Sequence, residues 1–160
     1  MPESNLLSSC ARAATAEEAA YRIDYPLAFA RSTRVVAFDE GAAEVVRAIA
    51  DRPWGQARFY TATDSATDLV TLAGEHRLVE AEVEHSDSVI MVATDGINGA
   101  AVAAVGAACR ERSIMTAGLL LVGDGNLSGE TLATIRPHAR ILLVPADQDD
   151  LVELLTAIRA

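Results

Sequence analysis

Five aspartates in this chain each follow a short apolar run: Asp39 after "RVVAF", Asp64 after "ARFYTAT", Asp95 after "SVIMVAT", Asp124 after "LLLVG" and Asp147 after "ILLVPA". Carboxylates brought together from several loops can hold a divalent cation through oxygen ligands, or accept hydrogen bonds from a ribose or a base. The loop "TDGINGAA" adds Thr94, Gly96, Asn98 and Gly99 just before an Ala-rich segment. Amides at the start of a helix there, from about Ile97, would face the most negative part of a ligand without any lysine. A bare anion would be repelled by such a rim unless those amides or Mg²⁺ offset the carboxylates. Aspartate is also a favoured helix N-cap, and glycine is what a tight turn requires, so strand-to-helix turns collect both without a ligand. The candidate ligand-binding set is Asp39, Gly41, Thr63, Asp64, Thr94, Asp95, Gly96, Asn98, Gly99 and Asp124. No cofactor is specified by these residues; Mg²⁺ with a nucleotide is the combination they would suit.

The elements that must carry these residues repeat as strand, loop, helix. "RVVAF" leads into "DEGAAEVVRAIA", "ARFYTA" into "TDSATDLVTLA", and "SVIMVAT" into "DGINGAAVAAVGAACRER"; "TAGLLLV" then leads into "GDGNLSGETLATI", and "ARILLVPA" into "DQDDLVELLTAIRA". Continuous apolar strands fit a sheet covered on both faces. The helices carry apolar residues at three- and four-residue steps, such as Val45, Val46 and Ile49, or Leu151, Leu154, Leu155 and Ile158. The expected fold is α/β: a three-layer α/β/α sandwich around a mostly parallel, five-stranded Rossmann-like sheet over residues 34–160. "LVEAEVEHSD" reads equally as a short strand or a helical turn. Residues 1–33 read as a helical lead-in, with Thr15, Glu17 and Glu18 at a helix start and Tyr21, Tyr25 and Phe29 along one face. In such a sheet, ligands bind beyond the carboxyl ends of the strands, near a switch in strand order.

Composition removes several chemistries. The net charge is −10, and all 13 basic residues are arginine. An acidic chain without a basic stripe repels phosphate backbones, which argues against nucleic-acid binding. Without lysine there is no P-loop lysine, no Schiff base to pyridoxal phosphate, and no receiver-domain lysine beside an acidic pocket. Cys10 and Cys109 lack metal-ligand spacing, and Cys109 lies in an apolar helical stretch, where a thiol behaves as a small apolar group. His76, His85 and His138 fall in polar segments expected to be exposed, and G-x-S-x-G does not occur. No run of 18 uninterrupted apolar residues is present, which argues against a membrane span. The first 20 residues lack a basic start and an apolar core, so no signal peptide is read and the expected location is cytoplasmic.

The order of these features resembles the nucleotide-binding half of the FtsZ/tubulin-like GTPase family over about residues 34–122. "RVVAFDEGAAEVVRAIA" occupies the place of the first strand and glycine-rich turn. "ARFYTATDSATDL" is similar to the second strand, with Thr63, Asp64 and Leu69 matching its Thr-Asp and trailing leucine. "HSDSVIMVATDGINGAAVAAVGAACRERSIMTAGLLLV" resembles the strand, phosphate loop and Ala-rich helix that follow. The loop keeps Gly96 and Gly99 but lacks the other glycines and threonines of the signature, and Asp39 and Glu40 stand where the family has glycines. The resemblance therefore implies topology and cleft position rather than GTP hydrolysis or polymerisation. "ATDGIN" is also similar to the sugar-isomerase (SIS) loop, of which only Thr94 and Gly96 remain.

The resulting expectation is a non-catalytic binding or regulatory domain that holds a nucleotide-like or other small ligand. An enzyme acting on a nucleotide or sugar phosphate is one alternative. The other is an interaction subunit with an apolar surface of Tyr21, Tyr25, Phe29 and Trp54, pairing as a homodimer or with a partner protein through the N-terminal helix. The ligand reading requires Asp39, Asp64 and Asp95 to gather round one hollow.

Overall fold

In the computed structural model, residues 29–123, 125 and 127–160 are described. Its central strands are β1 (Thr33–Ala37), β5 (Ser88–Ala93) and β6 (Met115–Leu121). Beyond Thr33, Arg34, Ser88 and Thr116 near their starts these are apolar runs, and along each of them neighbouring residues feed opposite cores. Val36, Met91 and Leu120 belong to a core shared with Val102, Val105 and Ile135. Val35, Ile90 and Leu119 belong to a core on the other face, with Val46, Ile49, Leu151 and Leu155. The two-residue period of a strand supplies both cores at once, so these strands lack the apolar–polar alternation of a half-exposed sheet.

Among the described residues the α-helices are α1 (Glu40–Ala50), α2 (Val79–Glu84), α3 (Gly99–Glu111), α4 (Gly129–Ile135) and α5 (Gln148–Ala157). Apolar side chains of α1 and α5 enter one core, and those of α2, α3 and α4 the other. The segment that reads as either strand or helical turn is therefore α2 over Val79–Glu84.

The sheet is mostly parallel and has seven strands, not the expected five, in the order β4-β3-β2-β1-β5-β6-β7. Here β2 is Ala57–Ala62 and β7 is Ile141–Ala146. The additional strands, β3 (Asp68–Thr71) and β4 (His76–Leu78), form a hairpin running antiparallel to β2. They replace the helix expected after β2. "DLVT" has Leu69 buried and the β-branched pair Val70–Thr71, which favours a pleated surface over a helical stripe. Thr71 closes the turn: its N–H donates to the Glu75 carbonyl at 2.9 Å, and its carbonyl accepts from Gly74 N–H at 2.9 Å.

Without the hairpin, the parallel strands taken in chain order lie as 2-1-3-4-5, the flavodoxin-like arrangement. The switch in strand order falls between β1 and β5, which pair directly. From β1 the chain turns to the α1 face, and from β5 to the α3 face, so the two loops part above this pair.

Among the described residues two helices end in a left-handed residue that is not glycine: Ser113 after α3 (φ 56°) and Arg159 after α5 (φ 58°). After α5, Arg159 N–H donates to the Thr156 carbonyl at 3.1 Å and Ala160 N–H to the Leu155 carbonyl at 3.0 Å, the paired bonds of a Schellman ending. A β-carbon in that conformation costs about 1–2 kcal/mol, partly offset by the greater freedom glycine has in the unfolded chain. Arg159→Gly is therefore expected to raise the unfolding free energy by about 0.5–1 kcal/mol, read as a higher urea midpoint at unchanged slope.

Candidate ligand site at the strand ends

The switch point is where a crevice would open, and Asp39 closes it. Its Oδ1 accepts from Ala42 N–H at 2.9 Å, capping α1, and from the Thr94 hydroxyl at 2.5 Å; Oδ2 accepts from Thr94 N–H at 2.6 Å. One carboxylate thus caps a helix and ties the β1–α1 loop to the end of β5. Gly41 allows the close approach: a β-carbon there would sit 2.8 Å from Thr94 Oγ1 and 3.0 Å from its methyl carbon. Asp39, Gly41 and Thr94 are brought together, as a clasp.

The next group gathers one strand further along. A hollow of about 370 Å³ opens between the β5–α3 and β6–α4 loops, lined by Asp95, Gly96, Gly99, Ser128, Glu130 and Thr131 among others. Asp95 Oδ1 accepts from Gly96 N–H at 2.9 Å and from the Thr131 hydroxyl at 3.0 Å, so α4 is fastened to the β5 loop. Gly96 has φ 69°, a conformation the turn requires and glycine adopts without strain. Asn98 caps α3, its side-chain oxygen accepting from Ala100 N–H at 2.9 Å. Sequence reasoning missed the second wall, Ser128, Glu130 and Thr131. "LSGET", a capped helix start following a strand, carried the signal for it.

Thr63 and Asp64 stand apart from both groups, so the expected gathering of Asp39, Asp64 and Asp95 round one hollow is not found: Asp39 is taken up in the clasp, and of the three only Asp95 lines the hollow. The Thr63 hydroxyl is engaged within its own turn, with the Ser65 and Asp68 carbonyls each at 3.1 Å, and Asp64 is exposed. The β2 loop leads outward into the hairpin rather than back over the sheet, and neither residue lines the hollow. Asp124 lies outside the described residues. Asp147 closes a capping box with Asp150, each side chain accepting from the other's amide at 2.9 Å. Among the described residues, no three His, Cys, Asp or Glu side chains group as a metal site would need.

The remaining sequence candidates resolve as packing or lie elsewhere. Cys109 is buried, and burial pushes its thiol up to about 11, which keeps it protonated at neutral pH. Trp54 is half-buried against Phe59 and its indole N–H donates to the Ile49 carbonyl at 2.9 Å, so it belongs to the core rather than to an apolar surface. His76 and His85 are exposed, whereas His138, expected to be exposed, is half-buried against Gly106. Burial and the nearby Arg110 hold His138 below its ordinary pKa. Phe29 is 93% exposed, while Cys10, Thr15, Glu17, Glu18, Tyr21 and Tyr25 lie outside the described residues. No described helix is long and apolar enough to cross a membrane.

No protein-family model matches the chain, and no curated protein sequence matches it. Among solved structures, the chain is similar to a protein of Burkholderia pseudomallei K96243 described as pilus assembly-related. The identity is 20%, the match covers 79% of this chain and 88% of that one, and the TM-score is 0.45.

Proposed function

We propose that this chain is a non-catalytic binding domain that takes a small, hydroxyl-rich ligand into the hollow beside Asp95. The observation that carries this reading is the hollow itself, which opens at the carboxyl ends of β5 and β6, one strand away from the closed switch point, and which depends on Asp95 rather than on a rim of three aspartates. Its chemistry narrows the ligand class. Asp95 and Glu130 contribute carboxylates, and Ser128, Thr131 and Thr134 contribute hydroxyls. Such a lining accepts hydrogen bonds from sugar hydroxyls or amino groups and disfavours an unaccompanied phosphate. A nucleoside, or the sugar end of a nucleotide whose phosphates point away or carry Mg²⁺, suits it. The role proposed is binding alone: the Asp95 carboxylate is engaged by Gly96 N–H and by the Thr131 hydroxyl, which fasten the two walls together.

Thermal unfolding with nucleosides, nucleotides and sugars, each with and without Mg²⁺, tests this. A ligand at a hundred times its dissociation constant adds about 2.7 kcal/mol, a rise on the order of 5–10 °C for a chain this size. Asp95→Ala is expected to abolish the rise while the unliganded protein still unfolds cooperatively. Silence across the whole panel, or a rise that Asp95→Ala leaves intact, overturns the reading.

A second reading, an interaction subunit, draws on β7. Among the described residues this strand pairs on one side only, and it exposes Ile141 (50%) and Val144 (38%) at the sheet's end. Light scattering of the intact chain and of an Ile141→Lys variant separates the two readings: an assembly lost in the variant favours this one.

A further inference from the structure

At the other end of β6 lies a second hollow, of about 340 Å³, with a different charge. Arg110 at the end of α3, Ser113 in the turn, Thr116 at the start of β6, and His138 and Arg140 before β7 all line it, and no carboxylate does. That is unusual in a chain with 23 acidic residues against 13 basic ones. Arg34, Arg47, Arg77 and Arg112 each have a carboxylate oxygen within 4.0 Å; among the described residues Arg110 and Arg140, both exposed, have none, as is also true of Arg31, Arg52, Arg58, Arg136 and Arg159.

A cationic residue in the last turn of a helix is favoured by the helix dipole, which accounts for Arg110 alone. It does not account for Arg140, which precedes β7. The negative pole of α3 is also blunted. Ser113 N–H covers the Arg110 carbonyl at 3.2 Å, Ile114 N–H covers that of Cys109 at 2.9 Å, and an Arg112 guanidinium nitrogen reaches that of Ala108 at 3.2 Å. The hollow therefore faces cations and capped carbonyls.

A neutral hydroxyl completes the lining. The buried Thr116 hydroxyl accepts from Arg140 N–H at 3.2 Å, and its own proton has no acceptor among the described residues. His138 Nδ1 is instead buried against Gly106 of α3, where a β-carbon would lie 2.2 Å away, and has no hydrogen-bond partner among the described residues. Guanidinium forks match the paired oxygens of phosphate, and charge-assisted bonds of this kind are the strong ones. The volume falls in the range of small-molecule clefts, roughly 300–1,000 Å³.

We infer that this hollow binds a small multivalent oxyanion, a pyrophosphate or phosphate-ester group, held by the Arg110 and Arg140 guanidiniums and the Thr116 hydroxyl. The inference is independent of the proposed function, because the hollows lie at opposite ends of β6 and carry opposite charge.

Calorimetric titration of the full chain with sodium pyrophosphate, against sodium chloride at matched ionic strength, is the test. Saturable one-site binding is expected, weakened about ten-fold by Arg110→Gln and by Arg140→Gln and unchanged by Asp95→Asn. Circular dichroism establishes that each variant is folded. Should a Gln variant unfold, Arg110→Lys and Arg140→Lys keep the charge but not the fork, and are expected to weaken binding several-fold. No saturable heat at matched ionic strength, binding indifferent to both arginines, or binding weakened equally by Asp95→Asn would each overturn the inference.

Discussion

Asp39→Ala is expected to lower the unfolding free energy by about 2–4 kcal/mol, a large share of the roughly 5–15 kcal/mol that holds a domain folded. The Ala42 amide loses its cap, worth about 1 kcal/mol. The Thr94 amide and hydroxyl also lose a charged acceptor, and such bonds contribute about 1.5–3 kcal/mol each, less what water restores at a half-buried site. Asp39→Asn keeps an oxygen for the cap and one acceptor, so a smaller loss of about 1 kcal/mol is expected. Urea unfolding followed by far-ultraviolet circular dichroism reads both. The contrast with a binding role is sharp: a carboxylate kept for a ligand is commonly neutral or mildly costly to stability. A change under 0.5 kcal/mol for Asp39→Ala, an order-of-magnitude threshold for ordinary surface substitutions, would mean that the clasp contributes nothing and that the switch point is open.

That clasp shows which part of the site is legible in the sequence and which is not. Aspartate ahead of a helical stripe announces an N-cap, and Asp39 and Asp147 cap as local chemistry dictates, whereas α3 is capped by Asn98 rather than by the strand-end Asp95. What the sequence does not carry is the partner 55 residues away: nothing near "VATDG" says that Thr94 offers both its amide and its hydroxyl to Asp39. Thr131, which meets Asp95 across 36 residues, is hidden in the same way. The parallel strands are visible because burial on both faces leaves a continuous apolar signature. The hairpin after β2 is not, because a short edge strand such as "HRL", exposed at each residue, has no apolar pattern to show. Missing the hairpin also misplaces Asp64. With a helix after β2, its loop would return over the sheet towards Asp95; with a hairpin, it leads away.

Arg34 is a residue whose importance the sequence conceals altogether, since it opens an apolar strand and reads as a boundary. It is 4% exposed in β1, and its guanidinium meets four acceptors: a Glu82 carboxylate oxygen at 3.4 Å, the Glu82 carbonyl at 3.2 Å, the Ser32 hydroxyl at 2.8 Å and the His85 carbonyl at 3.3 Å. Tyr60 donates its hydroxyl to the same Glu82 carboxylate. Removing one partner of a buried ion pair leaves the other uncompensated, so Arg34→Ala is expected to cost about 3–5 kcal/mol, a fall in melting temperature on the order of 10 °C. Arg34→Lys recovers little, because an ammonium cannot span the fork's acceptors. Arg34→Met with Glu82→Gln is expected to regain most of the loss, because the stranded charge is gone. The phenol supplies an independent readout. Burial, together with the Glu82 hydrogen bond and charge, pushes Tyr60 up to about 12. The folded protein thus keeps a proton that the unfolded chain releases near 10, and stability falls as pH rises through that interval. Glu82→Gln is expected to bring the phenol back towards 10, seen as phenolate absorbance appearing at lower pH. Arg34→Met alone should move it the other way, since the guanidinium favours the phenolate. A Tyr60 titration indifferent to both substitutions, together with a loss below 1 kcal/mol for Arg34→Ala (a rough surface-pair value), would make this cluster a solvated surface network rather than the polar anchor of the sheet.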